Sequence, residues 1–192
     1  EIIASAGPGG KIEPSGTVIV NYGNNQSFNI TPDTGYQIKD VLVDGSSVGA
    51  VPTYTFPNVT ANHTISATFE IKTFTITSSA GANGSILPSG GVVVNYGSDQ
   101  KFDITPDPHY HILDVKVDGS SVGAVNSYTF PNVTSDHTIE ATFEIDKLKI
   151  TATAGAGGII SPSGDVMVDY GNSQKFDITP NVGYHIVDVL VD

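Results

Sequence analysis

The chain has 192 residues, with eight lysines and no arginine against 20 acidic residues, for a formal charge of −12. So few cations cannot neutralise a phosphate backbone, so nucleic acid is not an expected partner. Cysteine is absent, which excludes a disulfide framework, and no apolar run reaches membrane-spanning length, so no membrane insertion is expected in this segment.

The chain repeats itself. The phrase VDGSSVGAV at Val43–Val51 returns unchanged at Val117–Val125 and restarts at Val191. Tyr22, Tyr96 and Tyr170 stand 74 residues apart, as do Pro14, Pro88 and Pro162. A fixed period decides the architecture before any local reading. It predicts a first repeat over 1–72, a second over 73–146 and a partial third over 147–192. Units of this size lie near the lower limit for independent folding, so neighbours are expected to support one another. Glu1 to Ala6 lacks the charged-then-apolar pattern of an export signal, so any such signal or anchor is expected outside this segment.

Along the first unit, the turn signals GPGG and EPSG precede SFNIT. There Phe28 and Ile30 persist between copies, while Ser27 becomes Lys101 and Lys175, and Asn29 becomes Asp103 and Asp177. That alternation is the period of a half-buried strand. After TPDTG, Tyr36 and Ile38 have the opposite parity to Val41 and Val43, which predicts a bulge near Lys39 and Asp40. Asp44-Gly45 then reads as a two-residue hairpin turn. In HTISATFEI, Ile65, Ala67, Phe69 and Ile71 recur while Ser66 becomes Glu140, again with period two. No segment carries helical periodicity. The expected fold is all-β: tandem small sandwich- or barrel-like repeats, with six to seven short strands each. The expected core of the first is Ile2, Ala4, Ile12, Val18, Val20, Tyr22, Phe28, Ile30, Tyr36, Ile38, Val41, Val43, Val48, Tyr54, Phe56, Val59, Ile65, Ala67 and Phe69. FEIKTFTIT and FEIDKLKIT join the units without slack, which predicts a semi-rigid array.

Three segments, ITSSAGANGSILPSGGVVVNYG, FDITPDPHYHILDVKVDGSSVGAV and YTFPNVTSDHTIEATFE, resemble the divergent InlB B-repeat class of bacterial and archaeal surface repeats. The resemblance covers the whole chain. It implies an extracellular or cell-surface location and a structural role, and it implies neither catalytic residues nor a ligand.

Side chains with chemistry are sparse. His63 and His137 read as turn residues; His109 and His111 have no constant counterparts, and the repeated Ser46-Ser47 follows a hairpin turn with no nucleophile elbow. No lysine within the unit is common to all three copies, so a Lys–Asn isopeptide is not expected. Asp40, Asp44, Asp114 and Asp118 recur, with Asp188 and Asp192. Calcium requires several converging oxygens, whereas DVLVD spaces Asp40 and Asp44 two pleats apart. They read as turn and edge carboxylates, with a calcium site as the secondary alternative and no other cofactor. Among the N-x-S/T sequons, Asn58 and Asn132 in NVT are the first candidates for glycosylation.

The function expected is a structural repeat of a long extracellular protein, acting as a semi-rigid spacer or fibre-forming segment, and not an enzyme. Its expected partners are neighbouring repeats or copies of itself. The alternative is an adhesive or carbohydrate-binding module; Tyr110 and Tyr184 are then the rings to face a glycan. The third copy stops before the counterparts of Gly45 to Ile71, so strands from adjoining polypeptide are expected to complete it around Val189 and Val191 by β-strand addition.

Overall fold

The structure, a computed structural model, describes residues 1–192 and consists of strands and turns without a helix. The first repeat has eight strands: β1 (Ile2–Ala6), β2 (Gly10–Glu13), β3 (Gly16–Val18), β4 (Gln26–Pro32), β5 (Tyr36–Val43), β6 (Ser46–Gly49), β7 (Thr53–Phe56) and β8 (His63–Ile71). The second repeats them as β9 (Thr73–Ala80), β10 (Gly84–Leu87), β11 (Gly90–Asn95), β12 (Gln100–Pro106), β13 (Tyr110–Val117), β14 (Ser120–Gly123), β15 (Ser127–Phe130) and β16 (His137–Ile145). Then follow β17 (Lys147–Ala152), β18 (Gly158–Ser161), β19 (Gly164–Asp169) and β20 (Asp177–Pro180).

By compactness the chain divides into two units. One is Glu1–Thr77 with Gly90–Phe102 and Tyr128–Thr138; the other is Ser78–Ser89 with Asp103–Ser127 and Ile139–Asp192. The first therefore contains the whole of repeat 1 together with β11 and parts of β9, β12, β15 and β16 of repeat 2.

In repeat 1 a five-stranded sheet, in the order β3-β1-β8-β5-β6, faces a three-stranded sheet, β2-β4-β7. β1 and β8 run parallel, while β1–β3, β5–β8 and β5–β6 are antiparallel. Ile2, Ala4, Val41, Val43, Ile65 and Ala67 of the larger sheet meet Ile12, Phe28, Ile30 and Phe56 of the smaller one, with Val59 from the loop. The alternation in the sequence selects these inward faces. Phe28 is fully buried and meets Phe56 edge-on, ring centroids 5.9 Å apart at 82°.

The predicted bulge is present: the β5–β8 register shifts between Ile38 and Asp40, so both apolar pairs of β5 reach the same side. The hairpin is present too, with Asp44 at φ 47° and Gly45 at φ 81°, the pair of left-handed residues that a two-residue turn requires. The eight strands exceed the six to seven expected. The additional ones include three-residue β3 and β6, which is exposed throughout and therefore shows no alternation.

Two residues expected in the core are not there. Val48 lies on exposed β6, and Tyr22 is 84% exposed. A cis X-Pro bond recurs at Glu13-Pro14, Leu87-Pro88 and Ser161-Pro162. In the second compact unit, β17 pairs with β19 and β18 with β20. Val189 and Val191 are 51% and 86% exposed, and no strand follows Pro180.

Candidate functional site: carboxylate turns and repeat joints

Asp40 sits at the β5 bulge, where its Oδ1 accepts from its neighbour's amide, Val41 N–H (2.8 Å), and from Ser47 Oγ (2.7 Å). Ser47 Oγ in turn accepts from Gly49 N–H at 3.3 Å. Asp114, Ser121 and Gly123 repeat the arrangement, with Ser121 Oγ donating to Asp114 at 2.6 Å. Asp188 keeps the local part, accepting from Val189 N–H at 2.8 Å.

Asp44 holds a different end of the sheet. Its Oδ1 accepts from Thr64 N–H at 2.8 Å, and its Oδ2 lies 2.8 Å from His63 Nδ1. The hydrogen bond to His63, then that from the Thr64 amide, hold the Asp44 carboxyl below the ordinary carboxylate range. The His63 ring also lies against Phe56, centroids 4.9 Å apart. The pair thus staples the β5–β6 turn to the start of β8. Its signal was in the sequence, because Asp118 and His137 recur at the same two places.

Asp40 and Asp44 are therefore engaged in separate turns and do not converge; Asp118, at φ 49°, occupies the turn equivalent to that of Asp44. Nowhere do three or more His, Asp or Glu side chains gather as an ion site would require. Asn58 and Asn132 are exposed, left-handed turn residues at φ 48° and 47°. Their N–H groups donate to Asn25 Oδ1 (2.8 Å) and Asp99 Oδ1 (2.7 Å). Tyr110 is half-buried and lines an open groove together with His111, Ala124, Val125 and Asn126. Tyr184 is 63% exposed.

The joints between repeats were not foreseen as sites. Lys72 alone separates β8 from β9, and Asp146 alone separates β16 from β17. Lys72 N–H donates to the Gly35 carbonyl, and Tyr96 N–H donates to the Lys72 carbonyl, each at 2.8 Å. The Tyr96 ring lies so close over Gly35 that a Cβ there would stand 2.5 Å from it. Glycine at φ 81° is what admits the ring.

The second joint keeps the backbone clamp and changes the seat. Asp146 N–H donates to the His109 carbonyl and Tyr170 N–H to the Asp146 carbonyl, again at 2.8 Å. His109, held at φ 70°, stacks its ring on Tyr170 with centroids 3.6 Å apart at 7°. Tyr22 is the same residue in the first repeat, and its surrounding turn is formed alike: Gly23 N–H donates to Val59 O as Gly97 N–H does to Val133 O, both at 2.8 Å.

Residues 1–73 and again 74–147 match the family described as the divergent InlB B-repeat domain. No curated protein matches the chain.

Proposed function

Because the chain belongs to the divergent InlB B-repeat family, we propose that it is a structural repeat of a long extracellular or cell-surface protein, working as a semi-rigid spacer or fibre-forming segment. The observation that carries this reading is the one-residue joint. Lys72 and Asp146 have both backbone groups bonded to flanking repeats, and a tyrosine ring covers the turn beside each. A joint without free backbone has little freedom to bend. The surface location rests on the family, whose repeats are surface-associated. A charge of −12 agrees with a self-repelling, soluble exterior and with no nucleic-acid partner.

The partners in this reading are neighbouring repeats or further copies of the chain. β17 pairs with β19 alone, whereas β1 and β9 each have a second neighbour, β8 and β16. That edge of β17 is where a strand equivalent to β8 and β16, from adjoining chain or from another copy, would add. The reading also makes the chain a non-enzyme, since its best candidate acid–base pair, Asp44 and His63, is used to staple strand ends. An adhesive or glycan-binding role draws its one support from the groove beside Tyr110 and His111.

The test is small-angle scattering of the chain with four Gly/Ser residues inserted after Lys72. The insertion is expected to loosen the joint and broaden the distance distribution. An unchanged profile refutes the semi-rigid joint, and a reproducible glycan-array hit abolished by Tyr110→Ala favours the adhesive reading instead.

A further inference from the structure

The chain enters repeat 1 on β1 and leaves it on β8, and these two strands are parallel neighbours. Their register runs from Ile2 opposite His63 to Ala6 opposite Ala67. The ladder continues past both ends, with His63 N–H donating to Glu1 O (3.1 Å) and Gly7 N–H to Ala67 O (2.9 Å). Its inward side chains, Ile2, Ala4, Ile65 and Ala67, are at most 3% exposed, so one side of the ladder is sealed from water.

Repeat 2 is built alike. The entering strand β9 is the neighbour of the leaving strand β16. Gly81 N–H donates to Ala141 O at 2.9 Å as Gly7 does to Ala67, and Thr75 N–H is held by the Asp136 carboxylate at 2.7 Å. Since Lys72 is the only residue between β8 and β9, tension leaving one ladder passes directly into the next.

We propose that each complete repeat is a tension-carrying unit, in which a pull on the chain is resisted as shear between its parallel entering and leaving strands. A pull through Glu1 and Lys72 draws β1 and β8 in opposite directions along their own axes. The whole ladder must then yield together. A pull applied to both strands at the same end opens the ladder one bond after another. Forced unfolding is set by the barrier to rupture rather than by equilibrium stability, so the direction of pulling decides the strength. This goes beyond spacing and display, which need stiffness but no tensile strength, and it does not depend on whether the joints are stiff.

The absence of cysteine lets handles be placed at will. The full chain is stretched in a single-molecule trap with handles at its two termini, and then, as Asn62→Cys, with handles at the N-terminus and residue 62, beside the start of β8. An unchanged thermal midpoint certifies the fold of the variant. The terminal pull is expected to give two abrupt events, each releasing roughly 250 Å of chain at about 3.5 Å per residue, at several-fold the force that opens the N-terminus/62 geometry. Equal forces in the two geometries, or a gradual extension under terminal load, overturn the proposal.

Discussion

Tyr22, Tyr96 and Tyr170 occupy one position of the repeat but three environments. Tyr22 is 84% exposed, Tyr96 covers Gly35, and Tyr170 stacks on His109. The sequence placed Tyr22 in its own repeat's core because a residue that serves a neighbour recurs with the same period as one that serves its own fold. Only the contact distinguishes them. Tyr96→Ala is therefore expected to cost about 1–2 kcal/mol, from the half-buried ring, and to speed hydrogen exchange at the Lys72 and Tyr96 amides. Tyr22→Ala should stay within about 0.5 kcal/mol. Equal costs in denaturant titrations would mean that the ring serves its own repeat. Asp44 gives a second residue-scale expectation. Its carboxyl is held low by His63 and the Thr64 amide, so its contribution is present above the ordinary aspartate value and is lost as pH falls through the lower, folded value. Since its side chain is 49% exposed, the effect is small. Asp44→Asn, which keeps a left-handed turn former, should lose less stability between about pH 7 and about pH 3 than the parent chain does. Urea midpoints at the two pH values measure this, and parallel losses would count against the staple.

At the scale of elements, alternation decided what was legible. β4, β5 and β8 bury every second side chain, and their inward residues, the bulge and the Asp44-Gly45 turn could all be read from substitutions between copies. β3 and β6 could not, because three residues are too few for a period and a strand exposed on both faces has none. Pairing was also hidden: nothing local in Ile2–Ala6 shows that it lies parallel to a strand some sixty residues away. Burial by sheet pairing yields a prediction that compares copies. Phe28 and Phe102 are completely buried, whereas their counterpart Phe176 is half-buried, in a unit whose β20 has β18 as its one neighbour. Phe28→Ala should cost about 3–5 kcal/mol, a large share of the stability of a small domain, and Phe176→Ala well under half of that. Chemical denaturation of the two variants decides the matter; equal costs would show that the third unit packs as tightly as the first.

For the molecule as a whole, the one-residue joints matter to degradation as well as to stiffness. A lysine between two folded units is ordinarily where trypsin cuts first, since linkers supply the free backbone that a protease must draw into its cleft. The Lys72 side chain is exposed, yet its amide and carbonyl are both tied at 2.8 Å, to Gly35 and Tyr96. Lys175, by contrast, lies outside any strand with its side chain 82% exposed, although its counterpart Lys101 is within β12. Limited trypsinolysis is expected to cleave after Lys175 early and to spare Lys72, as mass spectrometry of the first fragments would show; early release of the 1–72 fragment would contradict it. A string of repeats joined in this way offers an external protease no free backbone at its joints, so cleavage is expected to begin at exposed turns or at a loosened end and not between one repeat and the next.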